Sequence, residues 1–294
     1  MKLNLVFCMN CHAGYIIRNI QRYQHPILND YNLNHINYAR GNYLKTNKLT
    51  ENDIKLIKNA DILVIQYIKN NRGMLNHEFI KKIARTNKIY LLPHYTFGGY
   101  FNDKITDKII SQCQTTNQIV NYLTNMKVNK DEILKNLVDS VNNIKELDKL
   151  GCCNMFVFVA NNYRNIRLFR NRRHPNNIFF IELTNQLLKK IGYTQKLEGI
   201  YENISNHANQ VCPIYPQIKT ILKLEFDCNM YSNDVFITLT QYFSIINYHT
   251  CFNKETVKKI NSLTKLVKKD NLVKRDFVNL LKKNVLLDIL NLIK

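Results

Sequence analysis

Short apolar runs bounded by polar turns alternate with amphipathic stretches through the first hundred residues. Residues 2–8, with LNLVF at their centre, predict a buried strand. The turn Asn10–Gly14 follows, then a helix over Tyr15–Tyr23 with Ile16, Ile17 and Ile20 on one face. A second short strand is expected near His35–Ala39, and a helix over residues 50–59 with Thr50 as its N-cap. Ala60–Tyr67 (ADILVIQY) is the clearest buried strand. A helix over 75–86 leads to the strand Lys88–Leu92, which stops at Pro93. This order predicts an α/β fold with a parallel sheet, a Rossmann-like or SGNH-like N-terminal half and helices on both faces.

The pattern changes after the loop at 93–103. Helices are expected over 104–125 and 130–149. The apolar stretch within Leu150–Asn162 reads as a strand or a buried helix start. An amphipathic helix over 176–192 ends at Gly192, and a further helix covers 216–224 after the turn bracketed by Pro213 and Pro216. Residues 234–247 fit helix or strand, and Lys254–Lys294 fits a helical hairpin. The expected organisation is one α/β catalytic domain over 1–250, with a sheet core at 1–103 and a helical, His-Pro-containing region at 104–250. A C-terminal helical tail covers 251–294.

Composition changes this picture little. At 294 residues the chain is long enough for a real core. No apolar run approaches the roughly 20 residues that span a bilayer, and the N-terminus reads as a strand and not a signal peptide. Eight cysteines without dense spacing fit free thiols in a reducing, cytoplasmic setting. Cys8 and Cys11 have the spacing of a metal or redox pair, but no second pair matches them and Cys8 is expected to point into the sheet; no metal site is assigned. The net charge of +20 admits nucleic acid as a partner. The lysines are spread along the whole chain, however, and rise with Asn, Ile and Tyr. That composition fits an AT-rich genome, such as that of a parasite or large virus, and a protein of the host cytoplasm if viral. Nucleic acid is therefore not the favoured partner.

Four stretches carry candidate chemistry. Asn10-Cys11-His12 stands where a strand runs into a helix, beyond the carboxyl end of a parallel strand, where ligands bind. Helix N–H groups there stabilise phosphate or an oxyanion and activate a thiol. Cys11 is a candidate nucleophile, with Asn10 and His12 to orient or deprotonate. Gln66 closes its strand at the same edge. The loop from Leu92-Pro93 to Phe101 adds His94, Tyr95 and Tyr100. Arg164, Arg167, Arg170, Arg172 and Arg173 fall within ten residues, just before His174-Pro175. Guanidinium groups suit phosphate, and an imidazole suits a general base.

Five motifs in this order resemble the WcbI family of capsular polysaccharide biosynthesis proteins: Asn10-Cys11-His12, Ala60-Asp61-Ile62-Leu63-Val64-Ile65-Gln66, Leu92-Pro93 through Gly99-Tyr100, Leu168-Phe169 through His174-Pro175, and Cys212-Pro213-Ile214-Tyr215-Pro216. The resemblance covers residues 3–225. It implies a coenzyme A-dependent acetyltransferase acting on a sugar, nucleotide-sugar or polysaccharide. Cys11, His174, Asn10 and His12 are then the expected catalytic residues. Gly14, Tyr15, Arg18, Gln66, His94, Tyr95, Tyr100, Arg164, Arg167, Arg170 and Arg173 are the expected contacts to coenzyme A or acetyl-coenzyme A. The chain departs from the family's Gly-Asn-Cys-Gln with Met9-Asn10-Cys11-His12, and carries Arg173 where the family has Asn before His-Pro. Ester hydrolysis on the same site, or a non-catalytic glycan- or nucleic-acid-binding structural role, are the alternatives.

Overall fold

The computed structural model describes residues 2–39, 43–68, 73–101, 125, 127–198, 214–226, 230–232 and 235–237. These belong to the first of two units, Met1–Leu239; the second is Thr240–Lys294. Four strands form a parallel sheet: β1 (Leu3–Met9), β2 (Tyr31–Asn37), β3 (Ile62–Gln66) and β4 (Ile89–Leu92), in the order β2-β1-β3-β4. The connections between them carry α1 (Cys11–Arg22), the short α2 (Ile27–Asp30) and α3 (Tyr43–Thr46), α4 (Glu51–Lys58) and α5 (His77–Ile83).

The expected α/β fold is present, and its alternation explains the core. Val6 and Cys8 of β1 join Leu63 and Ile65 of β3 on one face, packed with Ile57 of α4 and Ile80 of α5. Leu5, Phe7 and Met9 are buried on the other face, where α1 packs against α8 (Asn177–Ile191). The strand order reverses direction between β1 and β3. The carboxyl ends of those two strands therefore flank the crevice where open α/β sheets take ligands.

Beyond the sheet follow α6 (Lys130–Asp148), α7 (Met155–Asn162), a small antiparallel hairpin β5 (Phe169–Asn171) and β6 (His174–Pro175), α8, α9 (Pro216–Leu222), and a second antiparallel pair, β7 (Met230–Ser232) and β8 (Val235–Ile237). Thr50 caps α4 in a full capping box with Asp53. Gly192 ends α8 at φ 114°, a left-handed conformation that glycine adopts at low cost.

Three boundaries differ from expectation, and one reading left open between strand and helix is decided. The stretch 10–14 is the start of α1 and not a turn, because the Asn10 side chain accepts from the His12 N–H at 2.9 Å and caps the helix there. β2 begins at Tyr31, four residues earlier than expected; as an edge strand rich in Asn it needs few apolar residues. The apolar run MFVFVA is helix. The basic segment before α8 is a hairpin, fastened by Asn176, whose backbone N–H donates to Leu168 O and whose side chain donates to Arg167 O. Residues 104–124, Cys212, Pro213 and the tail lie outside the described residues, and of 234–247 only Val235–Ile237 is described, as strand.

The hairpin is joined to α1 through Arg170. Its Nη2 donates to the Tyr15 hydroxyl at 2.7 Å, and its Nε donates to Pro175 O at 3.2 Å. The Tyr15 ring stacks on Phe180 of α8, with centroids 4.6 Å apart. Tyr15→Phe keeps that stack and removes one charge-assisted hydrogen bond from a buried guanidinium, so a loss of about 1.5–3 kcal/mol is expected. Urea unfolding measures it; a change within about 0.5 kcal/mol would show that the link carries no stability.

Candidate functional site

The carboxyl edge of the sheet is assembled from three strand ends. The Gln66 side-chain oxygen, at the end of β3, accepts the Asn10 backbone N–H at 2.9 Å. Gln66 is buried and so ties the two sides of the crevice together. His35 of β2 contributes Nε2, 3.1 Å from Asn10 O. The first turn of α1 carries no acidic residue, which leaves the positive end of its dipole uncompensated by a local carboxylate. Among the described residues, a β-carbon placed on Gly14 would meet nothing within 4 Å, so these residues leave space beside this turn.

Cys11 and Cys8 have unlike surroundings. Cys8 is fully buried and its thiol is pushed up to about 12, chiefly by burial. Cys11 is partly exposed at the helix start.

Three histidines meet here. His12 is buried, with its ring 4.5 Å from that of His94 and edge-on to Phe180 at 5.1 Å. Burial, and then the neighbouring His94 and His174, hold the His12 imidazole well below its ordinary range, so it is neutral. Its Nε2 is buried with no hydrogen-bond partner among the described residues. His94 is lowered too, mainly by burial.

His174 is held differently. The Asn171 side-chain oxygen accepts the backbone N–H groups of Arg173 at 2.9 Å and His174 at 3.0 Å, and lies 3.0 Å from His174 Nδ1. Those two N–H donors fix the contacting Asn171 atom as the oxygen, so His174 Nδ1 must carry the proton. Nε2 is then the basic nitrogen, the tautomer required of a general base. Arg173 stands directly before His174, but an asparagine is present three residues earlier and orients the imidazole. The i, i+3 spacing of Asn171 and His174 across a turn was visible in the sequence, but only the hairpin gives it meaning.

The expected phosphate ligands divide. Arg167 is buried and donates to the Phe169 and Arg170 carbonyls, and Arg170 is buried between Tyr15 and Pro175. Both are spent on holding the hairpin together. Tyr95 and Tyr100 are also withdrawn from the edge. Both are fully buried, with hydroxyls donating to Asp148 at 2.8 Å and Tyr163 O at 2.6 Å. The loop that carries them is tight: a β-carbon on Gly99 would lie 2.9 Å from the Phe97 ring. Tyr15 is buried against Phe180. Arg18, Arg164 and Arg173 are exposed. Arg18 lies over the Tyr15 ring and donates to Gly14 O, beside the first turn of α1. Arg164 donates to the Tyr163 hydroxyl.

The neutral histidines make an acid-labile fold. Between the ordinary histidine pKa of 6.5 and their depressed folded values, the unfolded chain binds protons that the folded chain does not. Stability is therefore complete above about pH 6.5 and falls as pH drops below it. Each such histidine contributes a slope of about 1.4 kcal/mol per pH unit. Urea titrations from pH 7.5 downward should show that loss, and His12→Gln should flatten it. An unchanged slope in the variant would contradict a neutral buried His12.

No protein-family model matches the sequence, and no curated protein matches it. A solved structure does: WcbI, described as a novel polysaccharide biosynthesis enzyme, in a native form without a disulfide bond between coenzyme A and a cysteine. The two chains are 12% identical and superpose with a TM-score of 0.57 over 88% of this chain and 93% of that one. At that distance the likeness is one of fold, and the chain shares the α/β fold of the protein whose family its motifs resemble.

Proposed function

We propose that this protein transfers an acyl group from coenzyme A to a hydroxyl or amine of a sugar or polysaccharide. The observation that carries this reading is the Asn171–His174 pair, set beside neutral His12 at the N-terminus of α1. Support also comes from the fold shared with WcbI, a polysaccharide biosynthesis enzyme whose structure is described with reference to coenzyme A.

The residues fit such a ligand. The space that the described residues leave beside Gly14 admits one, the buried Nε2 of His12 has a hydrogen-bonding valence to give, and the first turn of α1 suits an anionic group. Arg18 and Arg173 are the exposed guanidinium groups that flank this start and the hairpin turn, and in this reading they hold the pyrophosphate. Bound acyl-coenzyme A would supply a thioester, whose acyl–sulfur bond breaks on transfer with coenzyme A leaving as the thiol. Asn171 keeps the proton on Nδ1 of His174, and Nε2 removes the proton from the acceptor hydroxyl. In this reading the positive end of the α1 dipole and the Asn10 side-chain NH2 would stabilise negative charge on the acyl oxygen. Cys11, partly exposed at the same helix start, is the residue that would take the acyl group in a two-step route.

The test is acyl transfer from acetyl-coenzyme A to a panel of sugars and nucleotide-sugars, read as thiol release. His174→Ala should lower kcat by about 10²–10⁴-fold, and Asn171→Ala should lower it less while moving the acid limb of the pH–rate profile. Cys11→Ser separates the routes: retained turnover means direct transfer, whereas loss with trapped acyl-enzyme in wild type means two steps. Full rates in both His174→Ala and Cys11→Ser would overturn the assignment. Thiol release independent of any sugar would mark a hydrolase instead.

A further inference from the structure

Cys152 and Cys153 lie in the turn between α6 and α7, on the far side of β4 from the strand order's reversal. The Cys152 N–H donates to Leu91 O at 2.9 Å, which anchors the pair to the sheet. Their sulfur atoms are 3.7 Å apart. Cys153 is buried and Cys152 is partly exposed. The contact between the two sulfurs holds the Cys152 thiol below its ordinary range against the opposing effect of burial, with Lys190 assisting. The same contact, and burial, push Cys153 up. Of the two thiols, the more exposed Cys152 is therefore the one that ionises more readily.

The pair opens into a groove of about 830 Å³. Lys145, Lys149, Lys189 and Lys190 line it, with Phe156 as apolar floor. The one carboxylate among the lining residues, Asp148, is occupied by the Tyr95 hydroxyl and the Phe156 N–H. Lys149 pairs with Glu146 at 2.6 Å, and Lys145 lies over the Phe156 ring at 5.6 Å. Lys189 and Lys190, at the C-terminal end of α8, are exposed. The groove therefore presents the more acidic of the two thiols beside a cluster of lysines. Adjacent Cα atoms are about 3.8 Å apart, shorter than the roughly 4.4–6.8 Å of an ordinary disulfide. A bond between the two cysteines would be strained, so an incoming sulfur is the better partner for Cys152.

We propose that Cys152 is an S-thiolation site for an anionic low-molecular-weight disulfide, one bearing carboxylates, which Lys189 and Lys190 draw into this groove. The Cys152 thiolate attacks one sulfur of the disulfide. That sulfur–sulfur bond breaks, a new bond to Cys152 forms, and the other half leaves as a thiolate that takes a proton from water. The Cys152 sulfur is oxidised and the departing sulfur is reduced, so the disulfide is itself the oxidant. The groove shares no lining residue with the site around Cys11 and does not rest on the acyl-transfer reading.

The experiment exposes the full-length protein to oxidised glutathione and to the neutral 2-hydroxyethyl disulfide. Adducts are located by peptide mass mapping, and each rate is divided by the rate of that disulfide with free N-acetylcysteine. A glutathionyl group on Cys152 is expected, with a normalised preference for the anionic disulfide on the order of fivefold. Lys189→Gln with Lys190→Gln should remove the preference and leave the neutral rate nearly unchanged. Cys153→Ala should slow both disulfides at pH 7, because the sulfur contact that favours ionisation of Cys152 is gone. Equal normalised rates for the two disulfides in the wild-type protein would overturn the proposal, as would adducts confined to other cysteines.

Discussion

A buried arginine organises the candidate site. Arg170 links the Tyr15 hydroxyl on α1 to the Pro175 carbonyl in the β5–β6 hairpin. A charge of this kind is costly to desolvate and is tolerated only with its donors occupied in good geometry. The link connects the elements of the candidate site: the facing ends of β5 and β6 carry Asn171 and His174, and α1 carries Cys11 and His12. A second tie between the helix start and the hairpin turn is the hydrogen bond of His12 with the Arg173 backbone. The positive charge within this layer also helps keep His12 neutral, since Arg170 adds to the effects that lower its pKa.

The histidine cluster follows from the same burial. Charging His12 or His94 would place a cation in the core beside other cations, so folding itself selects the neutral imidazole. In the proposed reading, neutral rings suit an anionic ligand held by directed hydrogen bonds, with proton transfer left to the less buried His174. In this account, proton transfer and ligand holding are divided between His174 and His12 by depth of burial.

Much of the frame was legible in the sequence. β1 and β3 show as continuous apolar runs because both faces are covered, and Thr50 with Asp53 and Gly192 mark helix ends by chemistry that acts locally. The location of the candidate site at Asn10-Cys11-His12 followed from a strand running directly into a helix. What could not be read is what depends on distant partners. Arg167 and Arg170 resemble phosphate ligands in a basic segment, and only the hairpin reveals carbonyls as their acceptors. Tyr95 and Tyr100 lie in a loop and look available, yet their hydroxyls are spent on Asp148 and the Tyr163 carbonyl. Asn171 is unremarkable as one asparagine among many until its turn folds back on His174. The edge strand β2 was shortened in the sequence reading because an exposed strand carries a weak hydrophobic signal.

The central claim is that the start of α1, with His12 and the hairpin turn, is built to hold coenzyme A. The most direct measurement is the melting temperature of the purified protein with and without coenzyme A at moderate salt. Ligand at 100 times its dissociation constant adds about 2.7 kcal/mol of stability. A clear rise in wild type that persists at moderate salt and is lost in His12→Leu is the result this account requires. No rise in a folded wild-type protein, or an equal rise with any polyanion that vanishes as salt is added, would contradict it and leave a charge-driven binding role instead.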